Sequence, residues 1–204
     1  MKQLTIISGK GGTGKTSVTA ALAALAQDAV VVDCDVDAPD LHLLAKPQIR
    51  ERHSFTGGKR ASIQADKCCA CGRCAKVCRF EAISLNGPGN GAVAMTCRID
   101  PLACEGCLAC VQVCPADAIY LHDVVNGEWF ASISRLGPMV HACLYPGHEN
   151  SGKLVSLVRH QARKIAQGSQ RRLVLIDGPP GIGCPVIASI TGADMVLAVT
   201  EPTR

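Results

Sequence analysis

The chain has 204 residues, of which 48% are hydrophobic and 3% aromatic, and it carries a formal net charge of +4. This composition favours a folded protein with an aliphatic core. The small charge, with no long run of Lys or Arg, disfavours nucleic acid as a partner. No apolar stretch approaches the roughly 18 residues of a spanning helix, and the N-terminus lacks a secretory signal. We therefore expect a cytoplasmic protein without integral membrane contact.

The first predicted elements are a strand, a glycine-rich loop and a helix. Leu4 to Ile7 is a short apolar run that favours a buried strand. Apolar residues then recur at helical spacing, at Val18, Ala21, Leu22 and Leu25. The intervening loop matches G-x4-G-K-T, in which glycines let backbone N–H groups face a polyphosphate. The predicted ATP-binding residues are Gly9, Lys10, Gly11, Gly12, Thr13, Gly14, Lys15, Thr16 and Ser17.

Two residues of this loop have separate predicted roles. Lys15 is expected to contact the β- and γ-phosphates, and Thr16 to place its hydroxyl on Mg²⁺. The alternative is a glycine-rich turn without a ligand. The complete motif between a strand and a helix favours the phosphate site, and therefore ATP and Mg²⁺ as ligands.

The stretch KGGTGKT contains a second lysine, Lys10, and resembles the deviant Walker A signature of the MinD, ParA and nitrogenase iron protein superfamily. The resemblance implies an α/β P-loop NTPase with a mostly parallel sheet. It also implies that Lys10 reaches the nucleotide of a second subunit, in a homodimer or in a heterodimer with a related ATPase. A surface lysine without such a role is the alternative.

Acidic residues follow two further predicted strands, Ala29 to Val32 and Leu173 to Ile176. Ligands of open α/β sheets bind at the carboxyl ends of the strands, which makes these acids candidates for the site. The resemblance implies that Asp35 orients the attacking water, with Asp33 as second choice, and that Asp177 holds Mg²⁺. The predicted catalytic residues are Lys10, Lys15, Asp35 and Asp177, and the predicted Mg²⁺ residues are Thr16 and Asp177.

Eight of the 13 cysteines lie in two runs with the spacing C-x2-C-x2-C-x3-C. The second run follows the first by 36 residues, and the same offset equates Ile63 with Ile99 and Leu85 with Leu121. The segment is therefore an internal duplication. In a reducing compartment such clusters bind metal more often than they form disulfides. The runs are Cys68, Cys71, Cys74 and Cys78, and Cys104, Cys107, Cys110 and Cys114.

The two runs resemble those of bacterial two-cluster ferredoxins, in which the fourth cysteine of each run binds the other cluster. Zinc is the alternative, although structural zinc sites usually contain two separate C-x2-C pairs or histidine. The resemblance implies one [4Fe–4S] cluster on Cys68, Cys71, Cys74 and Cys114, and another on Cys104, Cys107, Cys110 and Cys78.

Two further cysteines raise the question of a third cluster. Cys184 follows Asp177 by seven residues, the distance at which the nitrogenase iron protein carries a ligand for a cluster shared between subunits. Only Cys143 is loosely comparable with the second ligand of that protein. A buried or surface thiol without metal is the favoured interpretation of both.

The order of these features predicts a discontinuous P-loop ATPase domain, residues 1–60 and 122–204, that contains an inserted α+β ferredoxin-like domain, residues 61–121. The flanking stretches HSFTGGKR and HDVVNGEW are predicted linkers. Three strands, at Trp129 to Ile133, Met139 to Leu144 and Met195 to Thr200, and an amphipathic helix over 150–168, capped by Asn150 or Ser151, complete the prediction.

This order resembles MinD-superfamily P-loop ATPases that contain an inserted ferredoxin domain. Members of the superfamily continue past the last predicted strand, so we expect a C-terminally truncated ATPase domain, with adenine-binding residues beyond residue 204. The resemblance implies ATP hydrolysis coupled to two clusters and electron transfer to a redox partner. Two alternatives stay open: an Mrp-like carrier that delivers clusters to an accepting protein, and a MinD-like positioning switch with the ferredoxin part as binding module.

Overall fold

A computed structural model describes residues 1–147 and 151–202. The chain forms two compact units: unit 1 comprises Met1–Phe55 and Asn126–Arg204, and unit 2 comprises Thr56–Val125. The predicted insert, residues 61–121, falls within unit 2, and its identity as a ferredoxin domain stays a prediction. Asn150, one of the two predicted helix caps, lies outside the described residues.

The structure contains nine strands and six α-helices within the described residues. The strands are Lys2–Ser8 (β1), Ala29–Asp33 (β2), Gln48–Ile63 (β3), Ile83–Gly87 (β4), Thr96–Ile99 (β5), Ile119–Ser134 (β6), Gly137–Leu144 (β7), Leu173–Pro180 (β8) and Met195–Val199 (β9). The helices are Lys15–Ala26 (α1), Leu41–Ala45 (α2), Arg73–Val77 (α3), Ala109–Gln112 (α4), Ser151–Gly168 (α5) and Cys184–Ile190 (α6).

Seven strands form one sheet in the order β3-β6-β7-β2-β8-β1-β9. Pairing is parallel from β7 through β2, β8 and β1 to β9, whereas β6 is antiparallel to β7. The predicted α/β fold with a mostly parallel sheet is confirmed. The central strands are apolar runs, as expected for parallel strands covered on both faces.

The core of unit 1 consists of two layers on opposite faces of that sheet. Val30 and Val32 belong to the layer that contains Leu154 of α5, whereas Val31 belongs to the layer that contains Leu41 of α2. Adjacent residues of β2 therefore face different helices, in agreement with the two-residue period of a strand. Burial of all five residues of β2 stabilises the centre of the sheet on which the nucleotide loop is built.

Both flanking stretches predicted as linkers contain a boundary between the two units, and each of them forms an extended strand. HSFTGGKR lies within β3 and HDVVNGEW begins within β6. The two strands are neighbours in the sheet, so their backbone groups can pair with each other, and Phe55 of the first stretch packs into the core. Polar and glycine residues therefore do not interrupt the strands here.

Unit 2 repeats the same backbone pattern at the 36-residue offset. Gln64 N donates to Ala118 O at 2.8 Å, and Asp100 N donates to Ala82 O at 2.7 Å. The short helices α3 and α4 begin at equivalent positions, and β4 pairs with β5 in antiparallel orientation. Three pairs of equivalent residues share positive φ angles: Ala70 and Gly106, Gly72 and Leu108, and Glu81 and Asp117. The duplication thus extends from the sequence to the turns that position the cysteines.

Across residues 1–147 and 151–202, none of the helices combines the length and the apolar character needed to cross a bilayer.

Candidate nucleotide site and cysteine cavities

The glycine-rich loop lies between the end of β1 and the first residue of α1. Gly12 and Gly14 have φ angles of 83° and 84°, a left-handed conformation that favours glycine. Ser8 Oγ donates to the carbonyl oxygen of Lys10 at 2.9 Å and closes the start of the loop. The predicted ATP-binding residues are therefore contiguous at one helix N-terminus, where backbone N–H groups attract anions.

A buried ion pair joins this loop to the end of β8. Lys15 Nζ lies 2.8 Å from Asp177 Oδ1, and the two side chains are only 7% and 1% exposed. Thr19 Oγ1 lies 3.0 Å from the same carboxylate oxygen. Two of the predicted catalytic residues, distant in sequence, therefore form an ion pair with each other.

Two polar atoms at the site are buried and find no hydrogen-bond partner in the part of the chain that the structure describes: Asp177 Oδ2 and Thr13 Oγ1. An unsatisfied buried oxygen of this kind is costly, and a ligand can supply the missing partner. A carboxylate oxygen suits a hard cation such as Mg²⁺, and a hydroxyl suits a phosphate oxygen. The donor set therefore fits a magnesium nucleotide.

Thr16 and Ser17 complete the predicted binding loop. Thr16 Oγ1 lies 3.4 Å from Lys15 Nζ, and its residue is half-buried, whereas Ser17 is exposed. The hydroxyl of Thr16 is thus close to the ion pair in which Lys15 and Asp177 take part, and it could hold a cation there.

The two acids after β2 lie in different environments. Asp33 is buried beside Asp177 in the neighbouring strand, and its carboxylate accepts hydrogen bonds from Asp35 N at 3.0 Å and Leu41 N at 3.1 Å. Desolvation and the charge of Asp177 raise the pKa of Asp33 well above its ordinary value. Asp35 is half-buried, and desolvation raises its pKa, an effect opposed by the charge of Lys15.

The different environments of Asp33 and Asp35 suit them to different roles. Asp33 shapes the loop that carries Asp35, because it binds two backbone N–H groups of that segment. Asp35 retains partial access to solvent and is the one that can contact a water molecule.

Lys10 lies at the surface of the loop. Its side chain is 61% exposed, and Nζ lies 3.5 Å from the carboxylate of Glu201. A long, exposed side chain in an ion pair of this kind is held weakly. Lys10 therefore lies at the surface, at the start of the nucleotide loop.

The eight clustered cysteines divide between two cavities of unit 2. The first cavity is lined by three cysteines of the first run and the last cysteine of the second run, and the second cavity is lined by three cysteines of the second run and the last cysteine of the first run. The sets are Cys68, Cys71, Cys74 and Cys114 for the first, and Cys104, Cys107, Cys110 and Cys78 for the second.

No group of three or more His, Cys, Asp or Glu side chains within residues 1–147 and 151–202 is close enough to hold one metal ion. A zinc site brings its ligands onto one ion, whereas a cubane distributes four thiolates over four iron atoms. Two separate cavities, each walled by four thiols and apolar side chains, fit the larger inorganic group. The residues present therefore suit a [4Fe–4S] cluster in each cavity.

Cys97 also lines the first cavity, although its position outside the two cysteine runs does not indicate this. It is 4% exposed and lies in the same buried core as Cys74 and Cys68. Burial and these neighbouring thiols raise the pKa of Cys97 to about 12. The 36-residue offset could have revealed it, because Cys97 occupies the position of Ala61 in the other repeat.

The candidates for a bridging cluster lie apart from these cavities in unit 1. Cys184 is the exposed first residue of α6, and Cys143 is exposed in β7. Their role in a shared cluster stays a prediction.

The chain is similar to proteins of one nucleotide-binding family. A family profile described as the CobQ/CobB/MinD/ParA nucleotide binding domain matches residues 4–190. An uncharacterized protein of Methanocaldococcus jannaschii is 35% identical over 205 residues, which cover 99% of this chain and 68% of that protein.

Two solved structures are also similar. One is the septum site-determining protein MinD complexed with Mg-ADP from Pyrococcus horikoshii, with 18% identity, a TM-score of 0.44 and coverage of 99% of this chain and 58% of that one. The other is the cell division ATPase MinD of Pyrococcus furiosus, with 19% identity, a TM-score of 0.44 and coverage of 99% and 60%. The chain therefore spans less than two thirds of either solved protein.

Proposed function

Because the chain belongs to the CobQ/CobB/MinD/ParA family of nucleotide-binding domains, we propose that it binds and hydrolyses ATP and couples its nucleotide state to two [4Fe–4S] clusters. The output of this coupling is electron transfer to a partner protein. The observation that carries the iron–sulfur part is the division of eight cysteines between two cavities in the crossed, three-plus-one arrangement.

The nucleotide half rests on the buried group of Lys15, Thr19 and Asp177. ATP phosphates compete with the Asp177 carboxylate for the Lys15 ammonium, since both are oxygen anions at hydrogen-bond distance. A phosphate bound by Lys15 would leave the carboxylate of Asp177 without its cationic partner and able to hold Mg²⁺. The free oxygen Oδ2 supports this role.

Mg²⁺, when bound, neutralises charge on the β- and γ-phosphate oxygens, and Thr16 and Asp177 would hold it. Asp35 orients the attacking water, because it is the half-buried acid that solvent can reach. Lys10 completes the site of a second subunit, and the surface position of its side chain supports that role. Hydrolysis is then catalysed by position and charge, without a covalent intermediate.

A [4Fe–4S] cluster supplies one-electron transfer when bound. The protein holds each cluster with four thiolates and surrounds it with apolar residues, such as Ile63 and Ile119 in the first cavity. One cysteine of each set, Cys71 or Cys107, is exposed. Each cluster is therefore close to the surface, where an electron acceptor can approach.

The same exposure supports a second candidate function, a carrier that releases clusters to an accepting protein. Cluster stability separates the two functions, because a carrier must give up iron and an electron-transfer protein must retain it. Incubation of the loaded protein with an apo-ferredoxin, followed by separation and an iron count of each, tests this point.

The main test is anaerobic purification of the chain, with iron and sulfide counts and redox titration in the presence and absence of Mg-ATP. We expect about eight irons per chain. We also expect at least one midpoint potential to change when Mg-ATP binds, and the nucleotide affinity to change with cluster reduction, because coupling is reciprocal. Stoichiometric zinc without iron would contradict the cluster assignment, and potentials independent of nucleotide would contradict the coupling.

A further inference from the structure

The two cysteine cavities are equivalent under the internal repeat. Each of the ten residues that line the first cavity has its counterpart, 36 positions away, in the lining of the second. Ile63 corresponds to Ile99, and Ala118 to Ala82. The two cavities thus share an equivalent set of four run cysteines and most of their apolar walls, whereas Cys69, Ala70 and Cys97 of the first correspond to Glu105, Gly106 and Ala61 of the second. Differences between them are therefore few and can be examined one at a time.

The main buried difference lies at a single pair of positions. Cys97 lines the first cavity, and its counterpart Ala61 lines the second. Both are buried, with exposures of 4% and 5%. One cavity therefore has a thiol where the other has a methyl group.

The position of Cys97 makes its thiol a neighbour of cluster ligands. It belongs to β5, which is held against β4 by backbone pairing, so its side chain starts from a fixed backbone. Its side chain lies in the same buried core and lines the same cavity as Cys68 and Cys74, both assigned to the first [4Fe–4S] cluster. Cys69 also lines this cavity beside the ligand Cys71, but both of these thiols are exposed to solvent, whereas Cys97 is buried.

We propose that Cys97 donates an S–H···S hydrogen bond to the ligands of the first cluster and thereby raises the reduction potential of that cluster alone. The proposal rests on the proposed function, since it requires that the cavities hold clusters. A donor directed at a ligand sulfur stabilises the more negative, reduced cluster. Ala61 offers no donor, so the second cluster lacks this contribution. Cys97 acts through the ligands and is a tuning residue, because Cys114 already completes the set of four thiolates.

The experiment uses the full chain, loaded with iron and sulfide, and redox titrations monitored by electron paramagnetic resonance. Cys97→Val removes the donor and approximately keeps the volume, and Cys97→Ser keeps a donor. Ala61→Cys places a thiol at the equivalent position of the second cavity. We expect Cys97→Val to lower one of two midpoint potentials and leave the other unchanged. Cys97→Ser retains most of the wild-type potential, and Ala61→Cys raises the other potential.

Three results would overturn the inference while the proposed function stands. The first is a wild type with about eight irons whose potentials do not move in Cys97→Val. The second is a loss of iron in Cys97→Val, which would make Cys97 a ligand. The third is an equal shift in Cys97→Val and Cys97→Ser, which would show that volume or sulfur, and not the donor, matters. A wild type that binds no iron would instead refute the proposed function, and the inference with it.

Discussion

The nucleotide site of unit 1 and the cysteine cavities of unit 2 differ in how their buried polar groups find partners. In unit 1 the buried charge of Lys15 has its partner in Asp177, with Thr19 beside the same oxygen. In unit 2 the thiols face apolar residues and one another. The difference teaches that a ligand site can be supported by the protein alone, or it can depend on the ligand for its stability.

The two cores show the same contrast. Unit 1 contains large, fully buried aliphatic side chains, among them Leu154, Leu175 and Ile176. The core of unit 2 is small, and half of its buried members are cysteines: Ala61, Cys68, Cys74, Ile83, Cys97, Cys110, Ala118 and Ile119. Small domains with so little apolar surface usually need disulfides or metal to fold. Under the proposed function, we therefore expect the folding of unit 2 to depend on its clusters more than the folding of unit 1 depends on its nucleotide.

Removal of iron has the largest expected effect. Structural metal sites contribute on the order of 10 kcal/mol to folding, more than the whole stability of a small domain. Chelation should therefore unfold unit 2 and leave unit 1 intact. Limited proteolysis with mass analysis, compared with the loaded protein in the same buffer, should locate new cleavage sites within 56–125. Equal resistance of the chelated and the loaded protein to the protease would contradict this difference between the two units.

Lys15→Ala should lower ATP hydrolysis by roughly 10²–10³-fold, the loss typical of one charge-stabilising group. The iron content should stay at the wild-type value, because the ligands lie in the other unit. Steady-state phosphate release and an iron count of the same sample measure both effects. Lys164→Ala, at an exposed position of α5, is the matched control and should hydrolyse ATP normally.

The ion pair should also contribute to the stability of unit 1. Lys15→Met leaves Asp177 buried without its cation, which costs about 3–5 kcal/mol. The double variant Lys15→Met/Asp177→Asn should be more stable than the single one, since no charge then remains. Urea unfolding can be followed by the fluorescence of Trp129, the single tryptophan of the chain, which lies in unit 1. A double variant as unstable as the sum of both single variants would show that the groups do not act as a pair.

A smaller effect is expected from pH. His141 is buried against the Phe130 ring, at 4.9 Å between centroids, and burial, with the charge of His42, lowers its pKa to about 4. Below its ordinary pKa of 6.5 the unfolded chain binds a proton that the folded protein excludes. The stability of unit 1 should therefore fall between pH 6.5 and 4, by up to about 3 kcal/mol at 1.36 kcal/mol per pKa unit.

The variant His141→Gln isolates this contribution. Its unfolding free energy, measured by Trp129 fluorescence, should lack the His141 part of the decline. Parallel curves for both proteins across this pH range would show that His141 titrates normally.

Local patterns predicted the elements that position the nucleotide site. The apolar runs at Leu4 to Ile7 and Ala29 to Val32 are strands, and the residues after Thr16 form a helix. The buried face of that helix, however, consists of Lys15, Thr19 and Ala23, while Leu25 is 80% exposed. Small side chains at the interface let the helix approach the sheet closely, and hydrophobicity alone does not reveal this.

The sequence by itself determined the motifs, because a phosphate loop and a cysteine run each depend on neighbours in the chain. It also determined the 36-residue duplication, which is a property of spacing. Only the tertiary structure decided which distant groups meet, since strand order and register bring Lys15 to Asp177 and Cys97 to Cys74. Such pairings depend on packing across elements far apart in the chain, and no local pattern encodes them.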